Sequence, residues 1–196
     1  MKKRGIGRFF VRAAALAACA FSTMGMTGPY KLCRENPAIA FEVPKDWQPA
    51  ADCLHILKPS SRGFAPGLNA DFYRAGKDGF GSAADFVNFR AGADSSNAKN
   101  ARKILGVEKP PSRPPARILE TKVGGLKAKR FEVAETRIAE HAQALPAGGG
   151  SLLVRNAYTV VPVKDGFWVL RYSALEQEFR TYLPHYEQLL ATLRLR

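Results

Sequence analysis

Three cysteines, three histidines and one Ser-x-x-Lys pair are the residues whose types and spacing bear on chemistry in this chain of 196 residues. Ser96-Asn97-Ala98-Lys99 fits the pattern in which a lysine assists an acyl-transfer serine. Neither Lys-Thr-Gly nor Ser-Asp-Asn accompanies it, so a serine hydrolase built on Ser96 and Lys99 is a distant alternative. His55, His141 and His185 do not pair at metal-ligand spacing. Cys53-Leu54-His55 would place a thiol and an imidazole on one strand face, as two zinc ligands could be. Third and fourth ligands are missing, so structural roles are expected for both. His185 follows Pro184 and reads as helix surface, and His141 as loop. Asp46, Asp71 and Asp85 fall on separate elements, with no sign of an acid–base pair. Gly148-Gly149-Gly150 lacks the strand-to-helix context and the lysine of a phosphate loop. A non-catalytic protein without metal or cofactor is expected.

Charge gives a second lead. The net charge is +13. Residues 1–18 hold five basic residues and no acid, which leaves +8 for the rest. The segment 99–130 carries that whole excess, with ten basic residues against Glu108 and Glu120. Lys99, Arg102, Lys103, Lys127, Lys129 and Arg130 are its candidate anion-binding side chains. Such a patch draws anionic lipids or other anionic ligands when it gathers on one surface. A solvated face that aids solubility is the plainer use. Nucleic acid is disfavoured, since no aromatic–basic interleaving occurs.

The leader sets the compartment. Lys2, Lys3, Arg4 and Arg8 precede a short apolar stretch, Phe9 to Ala18, interrupted by Arg12. That is the layout of an export signal, and it is too short for a membrane span of about 20 apolar residues. Leu16-Ala17-Ala18-Cys19 resembles the bacterial lipobox, in which the cysteine is acylated and becomes the new N-terminus. Cys19 is therefore the expected lipid attachment, facing the periplasm. The alternative is ordinary cleavage at Ala18-Cys19-Ala20, which releases a soluble exported protein. The expected organisation is a signal peptide over 1–18, a tether over 19–37 and one domain over 38–196. The expected partners are the membrane, through the anchor, and an envelope protein.

Cys33 and Cys53 remain as an even pair in an oxidising compartment. A disulfide between them would stabilise by about 3 kcal/mol through chain entropy. Geometry argues against it. If 38–43 and 53–58 pair as an antiparallel hairpin, the two cysteines sit more than about 10 Å apart, beyond the Cα limit of about 7 Å. Only a fold-back of residues 31–37 closes that gap.

The elements that must position these residues follow from periodicity. Ile39, Phe41 and Val43 alternate before Pro44, and Cys53 to Leu57 alternates before Lys58-Pro59. Leu68, Ala70 and Phe72 mark a third strand. Ser82-Ala83-Ala84-Asp85 is a capping box, so a helix begins there, and it should break at Gly92 to Asn97. A second helical piece is expected over 98–105, then a proline-rich linker. Strands resume at Ile118 to Glu120 and Leu126 to Ala134 around Val123-Gly124-Gly125. Lys164-Asp165-Gly166, between two apolar runs, predicts a hairpin, and Pro162 places it near a sheet edge. Phe179, Leu183, Tyr186, Leu190 and Leu193 form one helical stripe, with Pro184 expected in the first turn.

Three local motifs in this order carry a resemblance. They are Phe41-Glu42-Val43-Pro44-Lys45-Asp46-Trp47, Val123-Gly124-Gly125-Leu126-Lys127-Ala128, and Tyr158 to Tyr172 followed by Phe179, Tyr182-Leu183-Pro184 and Tyr186-Glu187. Over residues 38–194 the chain resembles the PsbP-like and DcrB-like families. The resemblance implies an α/β sandwich, an antiparallel β-sheet covered by helices. It also implies an exported, often lipid-anchored, non-enzymatic accessory or binding protein, and no functional residue transfers. Trp47 would close one end of the core.

Overall fold

The computed structural model describes residues 28–34, 36–60, 64–92, 115–138 and 151–196. Its centre is a seven-stranded antiparallel sheet in the order β3-β4-β5-β9-β8-β7-β6. The strands are β3 (Gln48–Pro49), β4 (His55–Leu57), β5 (Gly67–Arg74), β6 (Leu119–Val123), β7 (Leu126–Ile138), β8 (Ser151–Val163) and β9 (Gly166–Leu175). A smaller sheet has the order β1-β2-β10, from β1 (Tyr30–Cys33), β2 (Ile39–Pro44) and β10 (Arg194–Leu195). Two helices complete the described fold, α1 (Ala83–Ala91) and α2 (Phe179–Thr192). The mixed α/β class with antiparallel sheets and covering helices is as expected.

Alternation divides each central strand between two cores. On one face Leu68, Ala70, Leu170, Tyr172, Ala157 and Val161 join Ile39, Phe41 and Val43 of β2 and the buried side of α2. On the other, Phe131, Val133, Tyr158, Val160, Phe167 and Val169 join Phe86, Val87 and Ala91 of α1. These are the α2 face and the α1 face. Tyr186 is wholly buried on the former; its hydroxyl donates to the Leu170 carbonyl at 2.9 Å and lies 2.7 Å from Thr159 Oγ1.

Ser82 caps α1, the N-terminal half of the expected capping box. The Ser82 hydroxyl accepts from the Asp85 N–H at 3.2 Å and donates to its carboxylate at 2.9 Å. Gly92 ends the helix, its N–H donating to the Asn88 carbonyl. The helix expected over 98–105 lies outside the described residues. Gly124 and Gly125 have φ of 58° and 82°, the pair of positive values that a two-residue hairpin of the primed type needs.

Several expectations are corrected. Residues 38–43 and 53–58 do not pair with each other, because β2 belongs to the small sheet and β4 to the large one. The chain does fold back over 31–37: β1 runs antiparallel to β2, with Cys33 opposite Phe41. Cys33 and Cys53 thus come to a Cα separation of 5.6 Å and form a disulfide. The expected tether over 19–37 therefore includes a strand, Tyr30–Cys33. Pro184 is not in the first turn of α2, which begins five residues earlier at Phe179. Pro162 is not on an edge strand, since β8 lies between β9 and β7. It sits where the β7–β8 ladder has ended, beyond the last pair in that direction, Lys129 and Val160. A residue with no N–H fits that place.

Candidate functional site

The basic segment does not gather as one patch. Lys99, Arg102 and Lys103 lie outside the described residues. Strand alternation separates the other three candidates. Lys127 and Lys129 project on the α1 face, while Arg130 projects on the α2 face. There Arg130 donates two hydrogen bonds to the Glu187 carboxylate of α2, one at 2.9 Å. It also lies over the Tyr186 ring at 5.6 Å. Arg130 is thus a structural cation, and its pairing with Glu187 raises its pKa above the usual value.

Lys127 and Lys129 gain a different neighbour instead. Lys122 of β6 stands directly across from Lys127, and Glu120 stands across from Lys129. These side chains border a groove of about 480 Å³ between α1 and the β6–β8 end of the sheet. Val87 and Val160, both 1% exposed, form its floor, and Ala83, Ala84 and Pro162 its sides. The volume falls in the range of about 300–1,000 Å³ typical of small-molecule sites. Local sequence explains the opening. Ala83 and Ala84 are too small to cover the sheet, and β7 and β8 stop pairing before Pro162. The lysines were legible as part of the charge cluster. The alanines and Pro162 carried only capping and edge signals, so the groove itself was not foreseen.

His55 and Cys53 do not share a strand face. Cys53 precedes β4 in a turn and packs towards the α2-face core, whereas His55 turns to the other side. Its Nδ1 lies 2.9 Å from Asp52 Oδ1 and its Nε2 lies 2.8 Å from Asp71 Oδ1. A carboxylate only accepts, so this clamp holds the doubly protonated ring. Burial pulls the His55 pKa down, but hydrogen bonds to Asp71 and then Asp52 outweigh it and raise the value above normal. Hydrogen bonding to His55 in turn lowers the Asp52 pKa. No group of three or more His, Cys, Asp and Glu side chains among the described residues could hold a metal ion.

His185 is not a bare surface residue. Its Nδ1 lies 2.9 Å from the Tyr30 hydroxyl, and its ring contacts those of Trp47 and Tyr182. This cluster joins β1 to α2 and buries Trp47 to 1% exposure, as expected for a residue closing the core. Asp46 pairs with Lys58 at 3.0 Å, Asp71 with His55 and Asp85 with Ser82. Each carboxylate of the sequence reading is thus engaged locally. Ser96, His141 and the lipid-attachment candidate Cys19 lie outside the described residues. No helix among the described residues is long and apolar enough to cross a membrane.

No protein-family model matches the chain, and no curated protein matches it. Several solved structures are similar. LpqN of Mycobacterium tuberculosis, involved in cell envelope biogenesis, is 17% identical over 85% of this chain and 90% of its own, with a TM-score of 0.47. The cyanobacterial PsbP of Synechocystis sp. PCC 6803 is 10% identical over 90% of this chain and 99% of its own, at 0.46. PA94 of Pseudomonas aeruginosa, of unknown function, is 16% identical over 86% and 99%, at 0.42.

Proposed function

We propose that this chain is a non-catalytic accessory or binding module of the cell envelope. It is exported by its leader, acylated on Cys19 and held at the membrane facing the periplasm. Its binding surface is the groove between α1 and the β6–β8 end of the sheet, and it takes an anionic ligand. The observation that carries the reading is the lysine pair Lys122 and Lys127 beside a groove lined by Ala83, Ala84 and Pro162. Two like charges placed directly opposite on adjacent strands repel, and an anion between them removes that cost. The leader supplies the compartment, through Lys2 to Arg8 and the run ending in Cys19.

Metabolic labelling with an alkyne fatty acid tests the anchor. The wild-type chain should carry label and sediment with membranes. Cys19→Ala should lose both properties, and equal labelling of that variant overturns the anchor. The binding role is tested separately, by ligand extraction from the native protein. Co-purifying anions should disappear when Lys122, Lys127 and Lys129 are changed together to Gln. A turnover activity that one polar substitution abolishes would overturn the non-catalytic reading.

A further inference from the structure

We infer that the groove binds an amphiphile with one hydrocarbon chain and an anionic head, as a fatty acid has. The inference rests on the groove being the binding surface and adds the class of ligand. Lys122 and Lys127 flank the Gly124–Gly125 turn and face the groove together. Lys129 follows on the same face, opposed by Glu120 alone, which leaves an excess of positive charge at the border. Neither Lys122, Lys127 nor Lys129 is in an ion pair among the described residues. The head therefore meets unneutralised cations at the hairpin end.

The floor dictates the rest of the ligand. Val87, Val160, Ala83, Ala84 and Pro162 offer no side-chain donor or acceptor. A small ion bound at the lysines would leave exposed Ala84 and Pro162 in water. A polar body such as a sugar would lose its own hydration there without replacement. A hydrocarbon chain instead gains about fourfold in affinity for each methylene it buries. Ala83, Ala84 and Pro162 stand beside the lysines along the groove, so a single chain can lie along them while its head stays at the border.

The probe is sodium dodecanoate, titrated calorimetrically below its micelle concentration. The protein is residues 20–196, without the leader and the acylated cysteine, which keeps it free of detergent. One saturable site is expected, with decanoate about sixteenfold weaker for its two missing methylenes. Dodecanol, with the chain but no charge, should bind at least about tenfold more weakly, a change of about 1.4 kcal/mol. Changing Lys122, Lys127 and Lys129 to Gln should weaken dodecanoate by a similar factor. Ala84 is exposed on α1, so Ala84→Trp should fill the groove and abolish binding while leaving the melting temperature unchanged. No saturable binding of dodecanoate, or binding that Ala84→Trp leaves intact, overturns the inference. Binding of inorganic phosphate or phosphatidylglycerol vesicles without dodecanoate also overturns it, yet keeps the groove as an anion site. If none of the three binds, the groove falls as a binding surface too.

Discussion

At the scale of single residues, His55 has the most distinctive environment. Its ring is held between Asp52 of the preceding turn and Asp71 of β5. Asn69 stands across from it on β5, and Asp71 also acts on Tyr73, which Arg90, Arg171 and Tyr158 influence as well. The two carboxylates raise the His55 pKa in the folded state. A raised folded pKa stabilises fully below the unfolded value of about 6.5. That contribution is lost as pH rises through the folded pKa. Both pairs are more than a third exposed, so solvent screening keeps the contribution small, about 0.5 kcal/mol. Proton NMR should show the His55 ring titrating above the ordinary histidine range in the wild type. Asp71→Asn should move that titration down, and should remove part of the stability that is lost as pH rises above about 6.5. A wild-type midpoint at or below the ordinary value would contradict the clamp. None of this was visible in the sequence, where Asp52, His55 and Asp71 span a turn and two strands whose pairing had first to be known.

At the scale of elements, local patterns gave the strands and helices well where one physical rule acted alone. The capping box at Ser82 started α1, the glycine pair turned β6 into β7, and the stripe from Phe179 to Leu193 marked α2. Errors arose where tertiary contact overrode the rule. Pro184 lies inside α2, on its exposed side, where the packing of Phe179 and Tyr186 against β9 sustains the earlier turn. The Asp165-Gly166 hairpin formed, but its glycine serves another need. No non-glycine residue in the described chain has a positive φ, and Gly166 does not either. A Cβ at Gly166 would instead stand 2.0 Å from the Tyr73 carbonyl oxygen of β5. The glycine is there because β5 and β9 approach too closely for a side chain. Gly166→Ala must push the β5 backbone away and strain the α1-face core beneath Tyr73 and Phe167, which stack at 5.3 Å. Such overpacking costs about 1–3 kcal/mol. Chemical denaturation should show that loss, whereas a turn-only role for the glycine predicts almost none.

At the scale of the whole molecule, the described structure adds a strand, β1, ahead of the alternation of β2. Residues 28–34 carried no clear alternation, so their strand could be found only from its partner. β1 pairs with β2 across four residues, Tyr30 with Pro44 through Cys33 with Phe41. The Cys33–Cys53 disulfide then ties that edge to the turn before β4, and so joins the small sheet to the large one. Tyr30 adds a third link through His185 of α2. These contacts make β1 part of the domain, although it is four residues long. Its removal should therefore weaken both sheets. A fragment of residues 28–196 keeps both β1 and the disulfide. A fragment of residues 38–196 loses the disulfide, worth about 3 kcal/mol in chain entropy. In a protein of this size each kcal/mol shifts the midpoint by about 2–4 °C, so the shorter fragment should melt at least about 6 °C lower. Reducing the 28–196 fragment separates the two contributions, because it breaks the bridge and leaves the strand. If 38–196 melts with the oxidised longer fragment, β1 is an ornament and the fold begins where the alternation of Ile39, Phe41 and Val43 first suggested. If it melts with the reduced one, the bridge alone accounts for the loss. A fall below both assigns the remainder to the backbone pairing of β1 and its contacts with α2.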